Sequence, residues 1–374
     1  DHQLNLLMLS GDTTVVRRKR GAFYNTLSEL SSHWENIDIL TSHVAGVTRY
    51  KCFDNVNFYC SNYAKILQPY FIRKQGRVLA DMQNYDLIVS HDYGWFLNGV
   101  GAKWLASDIE VPYISEIHHV DGYPRAANFR DKLQPWLTRW YIRQAMNHVL
   151  GFRITNSVEL KSLLEHWGVP PSQILLLYSM YLDFDVFRPI SAPLEYDAIF
   201  VGRMTANKAP FLFLEGVAKA ANEKKDIQVL IVGQGPLVSK LRKRTMTLGL
   251  SDNVEFKRWV SNSAELANYY RSSRCLVCTS YSEGGPRVVA EALACGTPII
   301  TTRVGLGSEL IEDGVNGFFI DWSADMLANR LLQMINNTGL RDTMAIEAPK
   351  SVQKFEKTHV VNEYASYYKQ LVSK

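Results

Sequence analysis

Short apolar, β-branched runs alternate with segments of helical period from one end of this chain to the other, and few folds accommodate that pattern. Strands joined through helices return parallel, so the order predicts an α/β architecture built on parallel sheets. The pattern occurs twice. In the first half the expected strands are "LNLLMLS", "NIDILTS", "NVNFYC", "YDLIVSH", "PYISEIH", "FRITNS" and "QILLLYS"; in the second they are "YDAIFVG", "IQVLIVG", "NVEFKR", "CLVCTS" and "TPIITT". Between the halves, "YLDFDVFRPISAPLEYD" carries Pro189 and Pro193 with little periodicity, which reads as a linker. The expected units are therefore residues 1–188 and 189–350, with 351–374 forming a helix that returns to pack on the first unit. A length of 374 residues suits two cores better than one. Two open α/β units facing each other predict a ligand in the cleft, at the carboxyl ends of the strands.

Composition narrows the function classes. Hydrophobic residues make up 47% and charged residues 21%, the balance of a folded globular protein. No apolar run reaches the roughly 18 residues of a membrane span, so the chain is expected to be soluble or peripheral. The opening "DHQLNLLMLSGD" has a short apolar stretch with no basic region before it, which predicts a strand and not a signal peptide. A net charge of +4 is too small to imply nucleic acid. Five cysteines, an odd number, form no disulfide framework and point to the reducing cytoplasm, with the inner face of a membrane as a peripheral station. Cys275 and Cys278 make a CxxC, but "RCLVCTS" is β-rich, so the two face opposite sides of a strand and no metal site is expected.

The stretch "SEGGPRVVAEALACGTPII" sets Glu283 and Glu291 eight positions apart around a Gly-Gly-Pro. A helix turns about 100° per residue, so eight steps leave two side chains roughly 80° apart, which excludes a simple two-carboxylate dyad on one helix. Glu283 then belongs to a loop, Pro286 to a helix start and Glu291 to the helix, with the helix N-terminus pointing between them. "FVGRMTANKAPF" puts Arg203 and Lys208 after a strand and before a helix, a placement that suits a diphosphate or, more plainly, a solvated loop. "IVGQGPLV" has Gly233 and Gly235 but Val238 in place of the third glycine, so a dinucleotide fingerprint is broken. Gly21 opens a helix after the first strand and allows backbone to approach an anion. The run Arg17, Arg18, Lys19, Arg20 before it is either solvated or reaches an anionic acceptor or membrane surface. "WLTRWYIRQAMNHVL" sets Trp136, Trp140, Tyr141 and Arg143 on a helix, as core packing or as a membrane foot. His91, His118 and His119 end strands at the rim of the expected cleft. Asp183 and Asp185 form a DxD in the linker, away from the glycine turns, and metal binding is not expected there.

Taken together these residues resemble the retaining nucleotide-sugar glycosyltransferases of glycosyltransferase family 4, with the GT-B fold of two Rossmann-like domains. Glu283 and Glu291 fit that family's E-x7-E motif, followed by "EALACGTPII"; "FVGRM…NK", "IVGQGP", "GVNGFFID" and "DFDVFRP" match in order. The resemblance implies that Glu283 contacts the donor sugar, that backbone at Gly284, Gly285, Pro286, Arg287 and Val288 binds sugar and phosphate, and that Glu291 holds ribose hydroxyls. It further implies that Arg203 and Lys208 neutralise the diphosphate, that Trp259 and Val260 border the base, and that His118 lies near the reacting centre. Gly21 joins the donor side; Arg17, Arg18, Arg20, His91 and His119 fall on the acceptor side. The implied reaction moves a hexose-type sugar from a UDP- or GDP-linked donor to a glycan, lipid-linked or small-molecule acceptor. The nucleotide sugar is a co-substrate, and no metal or other cofactor is implied. A nucleotide-sugar 2-epimerase of the same fold and a non-catalytic nucleotide-sugar binder are the alternatives. Two positions depart from the family: Arg20-Gly21 stands where Gly-Gly is common, and Ala209 stands for a glycine after Lys208, a change alanine absorbs if its φ is negative.

Overall fold

The computed structural model describes residues 4–258, 260 and 262–373. Strands β1 (Asn5–Ser10), β2 (Asn36–Thr41), β3 (Arg49–Phe53), β4 (Val56–Cys60), β5 (Leu87–His91), β6 (Tyr113–Ile117), β7 (Gly151–Ile154) and β8 (Ile174–Leu176) form one sheet in the order β3-β4-β2-β1-β5-β6-β7-β8. Strands β9 (Ala198–Val201), β10 (Val229–Val232), β11 (Val254–Lys257), β12 (Leu276–Cys278), β13 (Ile299–Thr302) and β14 (Gly317–Ile320) form a second, in the order β11-β10-β9-β12-β13-β14. Every pairing is parallel except β3 with β4. Helices cover both faces of each sheet, which is why strands such as β9 ("AIFV") and β10 ("VLIV") are buried along their whole length.

Two strands were not expected. β3, "RYKCF", carries two cations and is exposed or half-buried throughout, so it lacks the apolar run of a central strand; it forms by antiparallel pairing on the sheet edge. β14, "GFFI", opens on a glycine after the turn-rich "EDGVN" and leaves only three apolar residues before Asp321, and it is held by its pairing with β13.

Asn36–Thr41 and Asn5–Ser10 bury one face on helix Ala22–Leu30 and the other on helices Gln68–Ala80 and Leu97–Ile109. The inner faces of the two sheets share one continuous apolar core, running from Leu6 and Met8 through Ile199, Leu276 and Val289 to Val352, Phe355 and Tyr368. Two further cores fill the outer faces, one in each half. Between the sheets, residues 177–197 cross from β8 to β9, and Leu182 N–H donates to the Phe355 carbonyl (2.8 Å).

After β14 the chain runs through helices Ala324–Asn336 and Thr338–Glu347 and a 3-10 stretch, Ala348–Phe355, to a last helix, Lys357–Val372. Glu356 starts that helix by accepting from the His359 N–H (2.8 Å). Its buried residues, Val360, Val361, Tyr364, Ala365 and Tyr368, recur at helical spacing and face β6 and β7 of the first sheet. The crossover thus ties the two halves twice, once at the linker and once through the terminal helix. Among the described residues, no helix is long and apolar enough to cross a membrane.

Candidate functional site

In each sheet the strand order reverses beside the first strand, and the loops leaving the carboxyl ends there gather the polar side chains. From the second sheet come the turn after β9, with Arg203 and Lys208, and the loop after β12, residues 279–286. Arg203 is exposed. Lys208 is half-buried, and its Nζ donates to Glu283 Oε1, which also accepts from Ser280 Oγ (2.8 Å). Met204 N–H donates to the Gln234 carbonyl (2.9 Å), which fastens the Gly-x-Gly turn to the Arg203 turn. Thr279 Oγ1 lies 3.0 Å from the carbonyls of both Lys208 and Ala209 and fixes the lysine turn against the β12 loop.

Ala209 corrects an expectation. It has φ +48° and ψ +47°, the left-handed region, as the residue that opens helix Pro210–Ala221. The alanine does not absorb the missing glycine with a negative φ; the turn that places Lys208 forces the positive one.

Pro286 precedes helix Arg287–Ala294, which has no side-chain cap and no acidic residue in its first turn; the Val289 N–H turns back to the Pro286 carbonyl (2.9 Å), and those of Arg287 and Val288 remain available to an anion. Gly284 is half-buried and Gly285 exposed, with Val288 half-buried behind them. A Cβ on Gly284 would lie 2.4 Å from the His118 carbonyl oxygen, so only glycine lets the β12 loop meet the end of β6 so closely. Gly305, at φ +50°, backs the same loop: its N–H donates to Glu159 Oε2 (2.9 Å), while a Cβ there would strike the Glu283 carbonyl. Glu291 lies inside the helix and is buried. Arg287 Nε donates to its Oε1 (2.9 Å) and Tyr270 to its Oε2 (3.1 Å), so both oxygens are engaged. Burial raises its pKa, and Arg287 works against the rise. Val260 is half-buried; Trp259 lies outside the described residues.

The first sheet supplies the opposite wall, centred on a residue that motif reading passes over. Glu116, in β6, is 1% exposed. Its Oε1 accepts from Arg153 Nη1 (2.9 Å), Tyr364 (2.9 Å) and Tyr368 (2.7 Å). Its Oε2 faces His118 Nε2 (3.1 Å) and His91 Nε2 (3.3 Å). Burial alone would raise this carboxyl, but Arg153 and the two imidazoles hold it well below the usual range. Arg153 is itself held by the Leu177 and Tyr178 carbonyls and lies over the Tyr364 ring (4.2 Å). Burial pushes His91 down to about 4, so at neutral pH it is an uncharged ring, with Nδ1 on Ser10 Oγ (3.0 Å). His118 presents its other edge to the cleft. His119 pairs with Asp121 (2.6 Å), a bond that outweighs burial and raises the imidazole pKa.

These side chains line a cavity of about 570 Å³ between the carboxyl ends of β1, β5 and β6 and the terminal helix. His91, His118, His119 and Arg153 border it, with Asp12, Phe23, Tyr178, Tyr181 and Val361. Arg203, Lys208, Glu283 and Glu291 do not, although Arg287, which holds Glu291, lies over the ring of the cavity-lining Tyr181 (5.9 Å). The structure therefore holds two clusters, one per sheet, which meet where Gly284 touches the His118 backbone. Arg17, Arg18, Lys19 and Arg20 are all exposed in the turn before helix Ala22–Leu30 and do not line the cavity. Gly21 caps that helix in an extended conformation. Cys275 and Cys278 are buried thiols at β12, and Asp183 accepts from the Asp185 N–H in a turn. Among the described residues no group of three or more His, Cys, Asp or Glu side chains is arranged to hold a metal ion. The signals for Glu116 and its partners were present as an acid inside an apolar strand, "YISEIH", and two tyrosines four apart in "YASYY"; neither has a motif to announce it.

Comparison with known proteins bears on the second cluster most directly. Residues 186–351 match the family model described as glycosyl transferases group 1. That span holds Arg203, Lys208, Glu283 and Glu291, and omits the three rim histidines. Curated relatives named D-inositol 3-phosphate glycosyltransferase align as well. The protein from Mycobacterium sp. (strain KMS) is 29% identical over 254 residues, 63% of this chain and 56% of its own length. D-inositol 3-phosphate glycosyltransferase 2 of Catenulispora acidiphila is 31% identical over 258 residues, 63% of this chain and 59% of its own. The match thus spans somewhat over half the length of these relatives. Among solved structures, sucrose-phosphate synthase of Thermosynechococcus elongatus superposes with a TM-score of 0.78 at 18% identity, covering 99% of this chain and 100% of that one. HepE of Anabaena, solved in complex with UDP-glucose, gives 0.73 at 17% identity over the same shares. The fold is GT-B.

Proposed function

We propose that the chain is a retaining glycosyltransferase that moves a hexose-type sugar from a UDP- or GDP-linked donor to a glycan, lipid-linked or small-molecule acceptor, without a metal. The observation that carries this reading is the cluster of Lys208, Ser280 and Glu283 beside the uncapped start of helix Arg287–Ala294, pressed through Gly284 against the His118 backbone. The group 1 match over residues 186–351 and the UDP-glucose bound by HepE support the same donor class.

The chemistry follows from charge. As the bond from the sugar carbon to the diphosphate oxygen breaks, negative charge grows on that oxygen and the sugar becomes cationic. Arg203, Lys208 and the helix N–H groups stand where that negative charge would form. Lys208 is held by Glu283 before the donor arrives; a phosphate oxygen competes for the ammonium and leaves the carboxylate free for a sugar hydroxyl. The acceptor oxygen then bonds to the sugar carbon on the face the diphosphate leaves, and its proton passes to the departing phosphate oxygen. The cavity lined by His91 and His118 is the acceptor's place in this scheme, and the exposed Arg17–Arg20 turn is its contact with a phosphate-bearing acceptor.

A thermal-shift series with UDP, GDP and their sugars tests the donor. A ligand at 100 times its dissociation constant stabilises the fold by about 2.7 kcal/mol, whereas none of the nucleotides doing so would exclude the reading. With the donor found, Lys208→Ala is expected to cost at least roughly a hundredfold in turnover with its melting temperature retained. Near-normal turnover would remove Lys208 from the reaction.

A further inference from the structure

Helix Phe129–Ala145, "FRDKLQPWLTRWYIRQA", is apolar on two opposite faces. Its inner face buries Thr138, Tyr141, Ile142 and Ala145. Phe129, Leu133, Trp136 and Trp140 recur at spacings of four, three and four, which sets them within roughly 60° of one another on the side away from the core. They are 75%, 54%, 70% and 49% exposed. Scattered exposed apolar residues are ordinary in a folded protein, but four large ones in a single stripe mark a surface that something covers.

The surrounding charge says what. At the same helical angles Lys132, Arg139 and Arg143 fall along one border of the stripe and Arg130 along the other. The only carboxylate of the helix, Asp131, is turned back to its start, accepting from the Ala127 N–H (3.2 Å) and Asn128 Nδ2 (3.0 Å). Protein–protein interfaces carry few charges at their centre, whereas aromatic anchors bordered by cations fit the headgroup region of an anionic bilayer. We propose that this helix docks the chain on an anionic phospholipid surface. The inner face of the same helix packs on the outer side of the first sheet, where Tyr141 donates to Asp92 (2.7 Å) and stacks on Phe96 at 4.5 Å. The docking itself does not depend on sugar transfer.

Co-sedimentation of the full chain with two kinds of vesicle tests this, one of phosphatidylcholine alone and one of phosphatidylcholine mixed equally with phosphatidylglycerol. The chain is expected to partition onto the anionic vesicles only, and to leave them at about 1 M salt, where the screening length falls to about 3 Å. Leu133→Ser with Trp136→Ser and Trp140→Ser, and separately Lys132→Glu with Arg143→Glu, should each weaken partition at least about tenfold. Both variants should keep cooperative unfolding and the parent's response to nucleotide. Equal binding to both vesicles, no binding, or undiminished binding by the variants would overturn the proposal. A dimer in sedimentation velocity that the serine variant abolishes would give the stripe to a second copy and overturn it too. Absence of any nucleotide response in the parent would sink the donor reading while leaving the lipid result standing.

Discussion

Ala209 and Glu116 show how differently single residues carry cost in this site. Ala209 holds the left-handed conformation that turns the chain from Lys208 into the next helix. A side chain there costs about 1–2 kcal/mol, part of which the greater freedom of glycine in the unfolded chain would offset. Ala209→Gly is therefore expected to stabilise the fold by about 1 kcal/mol, read as a higher urea midpoint at unchanged slope. An unchanged or lower midpoint would show that the turn is not strained. Glu116 is the opposite case: a buried charge whose two oxygens face five groups, so the fold tolerates it because none of its capacity is left open. It also fixes His118. With Nε2 turned to the carboxylate, the ring can present only Nδ1 to the cleft. Glu116 thereby sets which ring nitrogen of His118 is left free of the carboxylate.

At the scale of elements, the terminal helix closes the first sheet. Tyr364 and Tyr368, one turn apart, both reach Glu116, so the helix is fastened to β6 by charge as well as by its apolar face. Tyr368→Phe removes one bond to a buried carboxylate and is expected to cost about 2 kcal/mol in chemical unfolding. A cost near zero would mean that the helix is held by packing alone. Most elements were legible in the sequence because parallel strands buried on both faces read as unbroken apolar runs, as in "LLML" of β1 and "VLIV" of β10. β3 and β14 were not, the one because an exposed edge strand keeps polar residues, the other because its three apolar residues follow a glycine in a turn-rich stretch. The same division holds for the site. The Arg203–Lys208 turn and the Glu283 loop lie in short local motifs, so spacing brings them forward. Glu116, Arg153 and Tyr364 are brought together from positions far apart in sequence, and no local pattern encodes that meeting. The left-handed turn at Ala209 escaped for a third reason, since alanine gives no sign of the φ imposed on it.

Across the whole molecule, neighbouring groups at the end of β5 set opposing responses to pH. Burial pushes the Asp92 carboxyl up to about 7, even against hydrogen bonds from Ser115, Ser90 and Tyr141. The folded chain then keeps a proton that the unfolded chain releases near pH 4, so this group weakens folding as pH rises from about 4 to about 7 and changes nothing above. Burial holds His91 down to about 4, and the unfolded chain takes up that proton below about 6.5, so His91 weakens folding as pH falls through the same range. Asp92→Asn removes the first slope and leaves the second. The stability of that variant relative to the parent is expected to climb from pH 4 to pH 7 and then level off, measured by urea unfolding at each pH; a difference independent of pH would show that Asp92 is ionised throughout.

Where Gly284 meets the His118 carbonyl, the two halves touch through main chain on one side and main chain on the other. Main-chain dimensions are the same for every sequence, so the gauge of that junction does not drift as side chains around it change. Any side chain added at Gly284 would have to push that carbonyl aside, so the distance between the two halves is read off at this point in main-chain units alone.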